Sequence, residues 1–288
     1  MRHKVISRSL IAAFVCASTG TNVADDVVTA GVYAPDNLVA WCIVPFDANK
    51  RGPADRAEML ARLGIKHVAY DWRAEHVATF EEEILQYKKH GLNYFAFWSW
   101  HDAMEPLIKK HGILPQIWST APSPKADTQQ ERVIAAAEAV LPLVKKTRLL
   151  GCRFGLYNHG GWGGAPENLV AVCRYLRKHH QADHVGIVYN FHHGHEHMVN
   201  FNDHLQAMKP YLLCLNINGM EDAATVAAGS NKILPVGSGK HELSMLQTVK
   251  ASGYEGPIGI LDHRSNLDAE ESLRQNLDGL RKLVADGL

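Results

Sequence analysis

The sequence predicts an α/β fold, a single (β/α)8 TIM barrel, and three observations support this. Eight apolar runs of strand length recur along the chain, and each is followed by a segment with helical periodicity. The length of 288 residues suits such a barrel, which typically uses about 250 residues as one domain. An open doubly wound sheet would need a glycine-rich phosphate turn after its first strand, but Pro45-Phe46-Asp47 stands there.

The individual elements are predicted from apolar runs and from signals at helix ends. Leu38 to Phe46 is the first strand, and Ala54 to Leu63 is the first helix. The sequence Lys-Lys-His-Gly occurs at 88–91 and at 109–112, where cations and a glycine cap indicate the end of a helix. The predicted strands lie near residues 39, 66, 93, 113, 153, 185, 212 and 257, and the predicted helices end near 63, 89, 110, 146, 180, 208, 252 and 285.

The charge balance excludes several classes of partner. Lysine plus arginine and aspartate plus glutamate number 30 each, so the chain has no excess of positive charge. A nucleic acid or an anionic membrane surface would require such an excess. The 17 histidines are unusually many, and we expect several of them to lie in polar or metal-like environments.

The amino-terminal segment has the pattern of an export signal. Basic residues precede an apolar run from Leu10 to Ala17, which is too short to span a membrane. We therefore predict a signal peptide over residues 1–25, a leader over 26–36 and the barrel over 37–288, with export to the periplasm or the medium. The four cysteines that follow this signal peptide do not have the spacing of a disulfide framework, and they are predicted to be buried thiols: Cys42, Cys152, Cys173 and Cys214.

The stretch from Gly186 to His197 is the predicted centre of a functional site. An apolar strand ends there in Asn190, and four histidines follow, His192, His193, His195 and His197. In TIM barrels the site lies at the carboxyl ends of the strands. Histidines at such a strand end indicate a site that binds a ligand or a metal.

Aromatic and polar residues at the other predicted strand ends favour a small saccharide as the partner. Indole rings offer apolar faces to a sugar, and amide or carboxylate groups bind its hydroxyls. Packing between helix and strand is the alternative role for the tryptophans, and a hydrogen-bonded turn is the alternative for Asn216 and Asn218. The candidate substrate-binding residues are Asp71, Trp72, Trp98, Trp118, Asn158, Asn190, Asn216 and Asn218.

Three motifs resemble the xylose isomerase-like TIM barrels: Tyr157 to Gly161, Asn190 to His193 and Gly253 to Ile260. The resemblance covers roughly residues 37–285 and implies a barrel that acts on a sugar-like substrate. It also implies a divalent metal held by glutamate, aspartate, histidine and glutamate after strands five to eight. In this chain those places are taken by Tyr157, Asn190, Asn216, and Leu261 or Asp262.

Two accounts of the site follow from this departure. In the first, a divalent metal, Zn, Mn, Fe or Co, moves to His159, His193 or His195, and His263, with Glu75 or Asp71 as the carboxylate. In the second, no metal binds, and the histidines act as acid and base beside Tyr157 or bind the ligand directly.

The reaction that fits either account is removal of a proton next to a sugar carbonyl. Tyr157, His193, His195 and Arg73 are the candidate catalytic residues, and either the metal or histidine and arginine donors would hold the developing enolate. The product is an isomer or an epimer, or an elimination product if a β-substituent leaves. We expect a non-phosphorylated sugar or keto-sugar, since an exported protein rarely meets sugar phosphates. The alternative is a non-catalytic sugar-binding barrel with an eroded metal site.

Overall fold

A computed structural model describes residues 31–229 and 231–288, and it confirms the predicted fold class. Eight parallel strands follow one another around a closed barrel, and the first strand pairs with the last. The predicted signal peptide lies outside the described residues. The strands are β1 (Leu38–Trp41), β2 (His67–Asp71), β3 (Asn93–Trp98), β4 (Gln116–Thr120), β5 (Phe154–Tyr157), β6 (Val185–Asn190), β7 (Leu212–Ile217) and β8 (Ile258–Leu261).

One main helix follows each strand and packs on the outside of the barrel. These helices are α1 (Pro53–Arg62), α2 (Phe80–Lys89), α3 (Met104–His111), α4 (Gln129–Leu149), α5 (Pro166–His180), α6 (Phe201–Met208), α7 (Glu242–Ala251) and α8 (Ala269–Ala285). Shorter helical segments lie in the connections, at Pro35–Asn37, Ala74–Thr79, Gly161–Gly164, Phe191–His193, His195–His197, Lys209–Tyr211 and Ala223–Ala227. No helix of the described part of the chain is both long enough and apolar enough to cross a membrane.

The first strand is shorter than its apolar run predicts. The run continues to Phe46, but β1 ends at Trp41 because Cys42 has a φ angle of 61°, in the left-handed region. A residue in that conformation turns the chain out of the sheet, so 42–46 becomes a loop above the barrel. This loop brings Cys42 and Phe46 to the site described below.

Side-chain alternation along the strands separates two apolar layers. The larger layer lies between the barrel and its helices, and Tyr70, Phe97 and Phe154 belong to it. The smaller layer fills the barrel interior, and its buried members are Val39, Trp41, Cys42, Ala69, Ala96, Trp118, Tyr157, Val188, Leu213, Cys214 and Leu261. Cys42, Cys152, Cys173 and Cys214 are free and buried, as predicted.

Gly155 on β5 makes room for the Trp118 side chain inside the barrel. A Cβ atom at this position would lie 2.6 Å from Cγ2 of Val188 and 2.8 Å from Cδ1 of Trp118. Both distances are shorter than real Cβ contacts, so only glycine lets the Trp118 indole lie inside the barrel. The indole then supports the floor of the cavity above it.

Candidate functional site

A cavity of about 450 Å³ opens at the carboxyl ends of the strands. This is the end at which TIM barrels carry their sites, and the volume is within the range of small-molecule pockets. Its lining combines aromatic rings, imidazoles, two cations and one carboxyl group. The lining residues are Trp41, Cys42, Phe46, Asp71, Arg73, Trp98, Tyr157, His159, His192, His193, Lys232, Ile233 and His263.

Aromatic rings form the floor of this cavity. The Trp41 ring lies 4.9 Å from Trp118, 5.9 Å from Tyr157 and 6.3 Å from Trp98, measured between centroids, and all three contacts are edge-to-face. Trp118 is fully buried, and its Nε1 donates a hydrogen bond of 2.8 Å to Oε1 of Gln116. Trp118 therefore supports the floor from below, whereas Trp41, Trp98 and Tyr157 face the cavity.

Asp71 is the one carboxyl group in the lining of this cavity. Its Oδ1 accepts a long hydrogen bond of 3.4 Å from the backbone N–H of Val44, and its Oδ2 has no partner among the described residues. Burial raises the pKa of the Asp71 carboxyl to about 7, although the nearby Arg73 guanidinium acts to lower it. A carboxyl group with this pKa exchanges its proton near neutral pH.

Arg73 lies above the aromatic floor. Its guanidinium carbon is 5.5 Å from the Phe46 ring centroid and 5.9 Å from that of Trp98. One guanidinium nitrogen, Nη1, donates a 2.8 Å hydrogen bond to the carbonyl oxygen of Trp72. The positive charge is thus held over the cavity by the 42–46 loop, by the end of β3 and by the residue that follows β2.

Histidines form one wall of the cavity. The His193 ring lies 4.5 Å from His159 and 3.7 Å from His192, and His263 lies 3.7 Å from Phe46, between centroids. Burial is the main cause that lowers the pKa of His193 to about 3 and that of His263 to about 4, and it also lowers the pKa of His192 well below its usual value. These three imidazoles are therefore neutral at pH 7.

Tyr157 stands at the end of β5 between the floor and the histidines. Its ring centroid lies 5.9 Å from that of His193 and 6.2 Å from that of His159. Burial raises the pKa of the Tyr157 phenol well above its usual value. The phenol therefore keeps its proton and can donate it to a ligand.

The predicted substrate-binding asparagines do not line the cavity. Asn158, Asn190 and Asn216 are fully buried, and they bind one another: Asn190 Nδ2 donates to Asn158 Oδ1 (2.9 Å), and Asn216 Nδ2 donates to Asn190 Oδ1 (2.7 Å). Asn218 is also buried, and its Nδ2 donates to the carbonyl oxygen of Gly219 (2.8 Å). The structure thus corrects their predicted position: they brace the ends of β5, β6 and β7.

Four other candidates also lie outside the lining. Trp72 packs on Phe97 and Phe80 in the outer layer, and its Nε1 donates a 2.6 Å hydrogen bond to the carbonyl oxygen of Ser99. Glu75 is exposed and lines a neighbouring cavity of about 650 Å³. His195 is buried, with its Nδ1 3.2 Å from the carbonyl oxygen of His192. Trp118 is the fourth, placed below the floor as described above. The candidates that do meet at the cavity are Asp71, Arg73, Trp98, Tyr157, His159, His193 and His263.

Six residues of the lining had no assigned role among the sequence-based candidates: Phe46, which was predicted to end the first strand, His192, which lay in the predicted histidine stretch, and Trp41, Cys42, Lys232 and Ile233. Trp41 alternates with Val39 along β1, and this pattern alone could have placed it inside the barrel. Cys42 was predicted only as a buried thiol. Lys232 and Ile233 lie in the connection between β7 and α7, where no periodic pattern predicts position. An antiparallel bridge between Gly219 and Leu234 folds this connection back toward the cavity.

The donor set does not fit the metal site that the resemblance implies. Among the residues that the structure describes, no three His, Cys, Asp or Glu side chains are placed to hold a metal ion. Glu75 is outside the cavity, and Nζ of Lys232 lies 3.4 Å from Nδ1 of His193, where a second cation would be repelled. Leu261, and not Asp262, faces the barrel interior at the end of β8. At the implied ligand positions, Asn190 and Asn216 bind each other, Leu261 is apolar, and Tyr157 carries a phenol in place of a carboxylate.

Comparisons with known proteins identify the fold. No family model and no curated protein matches the sequence. Among solved structures, the IOLI protein with a zinc atom is 15% identical (TM-score 0.64, covering 88% of this chain and 99% of that chain). The 3-keto-D-glucoside 4-epimerase YcjR of E. coli, in its apo form, is 13% identical (TM-score 0.58, 86% and 98%). A xylose isomerase-like TIM barrel protein of Mycobacterium smegmatis, in complex with magnesium, is 15% identical (TM-score 0.53, 88% and 99%). The chain has the fold of the xylose isomerase-like TIM barrels, which its sequence motifs resemble.

Proposed function

We propose that this chain is a carbohydrate-active enzyme that removes a proton next to the carbonyl group of a non-phosphorylated sugar or keto-sugar. The observation that carries the proposal is the Asp71 carboxyl group, which lines an aromatic cavity and leaves Oδ2 without a partner among the described residues. Buried polar atoms are normally hydrogen-bonded, so an unpaired one at a cavity indicates a ligand that completes it.

Further unpaired groups around the same cavity support a polyhydroxylated ligand. Trp98 Nε1 is a donor without a partner, and His192 Nδ1 is likewise unpaired, among the residues described. The rings of Trp41, Trp98 and Tyr157 offer apolar faces beside these groups. A sugar matches this combination because it has C–H faces and hydroxyls that both donate and accept.

Asp71 and Tyr157 have complementary roles in the proposed reaction. Asp71 is the general base, because the pKa of a good base lies near the working pH and burial raises its pKa to about 7. Tyr157 is the general acid, because its phenol keeps its proton. The imidazoles of His159 and His193 bind hydroxyl groups, and Arg73 holds negative charge that develops on the substrate.

The proposed reaction moves one proton and one electron pair. Asp71 takes the proton from the carbon next to the carbonyl, and the electrons of that C–H bond form an enolate whose charge lies on the carbonyl oxygen. Reprotonation at another carbon or from the other face gives an isomer or an epimer. If a β-substituent leaves from the enolate instead, the product is that of an elimination, and the enzyme is a keto-glycoside lyase. Export, predicted from residues 1–25, would bring the protein to unphosphorylated saccharides.

Exchange of substrate protons with solvent tests this proposal. The protein is incubated in deuterated water with D-fructose and with a methyl 3-keto-D-glucoside, and deuterium at the carbon next to the carbonyl is followed by NMR. We expect exchange by the wild type and a loss of about 10²- to 10⁴-fold in Asp71→Asn. Asp203→Asn, which changes an exposed aspartate, is the matched control.

A non-catalytic sugar-binding barrel is the second candidate, and the amide network favours it. Asn190 and Asn216 stand where metal-dependent relatives would hold ligands, but they bind each other, and Asn190 also binds Asn158. Calorimetric binding of a sugar with no deuterium exchange would support this second function and contradict the first.

A further inference from the structure

We propose that Lys232 is a further catalytic residue, whose ammonium group binds the substrate's carbonyl oxygen and stabilises the enolate in place of a metal ion. The inference rests on the proposed function. It follows from the disagreement between the donor set of this cavity and the metal site of the proteins that the motifs resemble.

The tertiary structure brings Lys232 to the cavity from a long connection. Gly219 N–H donates to the carbonyl oxygen of Leu234 (2.8 Å), and Leu234 N–H donates to that of Gly219 (3.3 Å). This bridge fixes the chain two residues after Lys232, and Ile233 packs against the apolar barrel interior. The lysine therefore lines the cavity beside His193 and His263.

The charge of Lys232 is available to a ligand. Among the described residues it has no ion pair within 4.0 Å with a carboxylate, and its recorded side-chain partner is Nδ1 of His193 at 3.4 Å. A neutral imidazole accepts a hydrogen bond from an ammonium group but adds no negative charge, and Glu196, the carboxylate that acts electrostatically on Lys232, forms no ion pair with it within 4.0 Å. Burial lowers the pKa of Lys232, as expected for a cation at a partly desolvated wall.

The position of Lys232 complements those of Asp71 and Arg73. An ammonium group has three N–H donors, so it can bind both His193 and a carbonyl oxygen. When Asp71 removes the proton, the electron pair moves to that oxygen, and the ammonium charge stabilises the product of this step. Arg73 already donates through Nη1 to a backbone carbonyl, whereas Lys232 keeps further N–H donors for a ligand beside its contact with His193.

Charge-conserving and charge-removing variants test this role through deuterium exchange into D-fructose and a methyl 3-keto-D-glucoside. Lys232→Met keeps the aliphatic stem and removes the charge, and we expect its exchange rate to fall by about 10²- to 10³-fold. Lys232→Arg is expected to keep a substantial part of the rate, and methylammonium in the buffer to restore part of it to Lys232→Met. Lys178→Met, at an exposed lysine on α5, is the control.

Two further measurements separate this role from a structural one. Binding of the matching sugar alcohol, which has no carbonyl group, should be unchanged within twofold in Lys232→Met. Exchange by the wild type should survive dialysis against EDTA. Exchange that is unchanged in Lys232→Met would overturn this inference but not the proposed function. Exchange that EDTA abolishes and a divalent metal restores would do the same. A wild type without any exchange would overturn the proposed function and this inference together.

Discussion

Nδ2 of Asn216 donates a hydrogen bond of 2.7 Å to Oδ1 of Asn190 inside the barrel, joining the ends of β7 and β6. The hydrogen-bonded network continues from Asn190, whose own Nδ2 donates to Oδ1 of Asn158 at the end of β5. All three amides are buried, so each depends on the others for its polar partners. The network holds three strand ends in place beneath the histidine wall.

Asn190→Asp should destabilise the protein by about 1–3 kcal/mol at pH 8. The carboxylate would place an oxygen against Oδ1 of Asn158, where the native amide donates. At pH 5 the loss should be smaller, because burial raises the pKa of a carboxyl group and a protonated one can donate. Urea denaturation at both values of pH measures this, with the exposed Asn202→Asp as control. Equal stability of Asn190→Asp and wild type at pH 8 would contradict the network's role.

The exchange rate of the wild type should rise with pH through about 7. Asp71 must be ionised to act as a base, and burial raises its pKa to about 7. Burial also raises the pKa of the Asp262 carboxyl to about 7, but that group binds Ser272 of α8, away from the cavity. Asp262→Asn should therefore keep the rise, and Asp71→Asn should lose it together with most of the rate. A wild-type rate that is constant from pH 5 to pH 9 would exclude Asp71 as the base.

Trp98→Phe should weaken sugar binding by about 2- to 10-fold, whereas Trp72→Phe should leave it unchanged. Trp98 lines the cavity, and its indole N–H has no partner in the part of the chain that the structure describes; one hydrogen bond contributes about 0.5–1.5 kcal/mol. Trp72 lies two residues before the neighbouring Ala74–Thr79 segment, and its indole is already bonded to Ser99. Calorimetric titration with the same sugar compares the two variants. A larger loss in Trp72→Phe would show that the cavity is not the binding site.

Asp262→Asn should gain stability relative to the wild type as the pH rises from 4 to 7. The unfolded chain releases the Asp262 proton near pH 3.8, whereas burial delays its release in the folded chain to about pH 7. Between these values the folded state holds more protons, so the contribution of this group is lost as the pH rises through 7. The slope is at most about 1.4 kcal/mol per pH unit. Urea denaturation at pH 4, 5.5 and 7 measures it, and the exposed Asp203→Asn should show no such trend.

Much of the barrel follows from local sequence signals. Apolar runs at strand length and glycine caps such as Gly64 and Gly112 mark the elements, because backbone hydrogen bonding and side-chain burial act locally. The first strand was predicted to be longer than it is, because nothing in an apolar run indicates that Cys42 has a left-handed φ angle. The strand-end rule also placed Asp71, Tyr157, His159 and His193 at the cavity.

The orientation of side chains at the strand ends could not be predicted. Leu261 and Asp262 were equal candidates for the strand-eight position, and only the register of β8 against β1 turns Leu261 inward. Asn158, Asn190 and Asn216 were predicted to bind a sugar, but they form hydrogen bonds with one another across the ends of three strands. Contacts between residues far apart in the chain decide such pairings.

The sequence by itself determined the (β/α)8 fold and the end of the barrel at which the candidate site lies, because periodicity and strand order are written in local patterns. Only the tertiary structure decided which polar groups reach the cavity and which form hydrogen bonds with neighbouring side chains. It left Oδ2 of Asp71 without a partner among the described residues, beside aromatic rings, and folded Lys232 back against His193. The physical reason is that burial and charge at one point in space depend on every element that meets there.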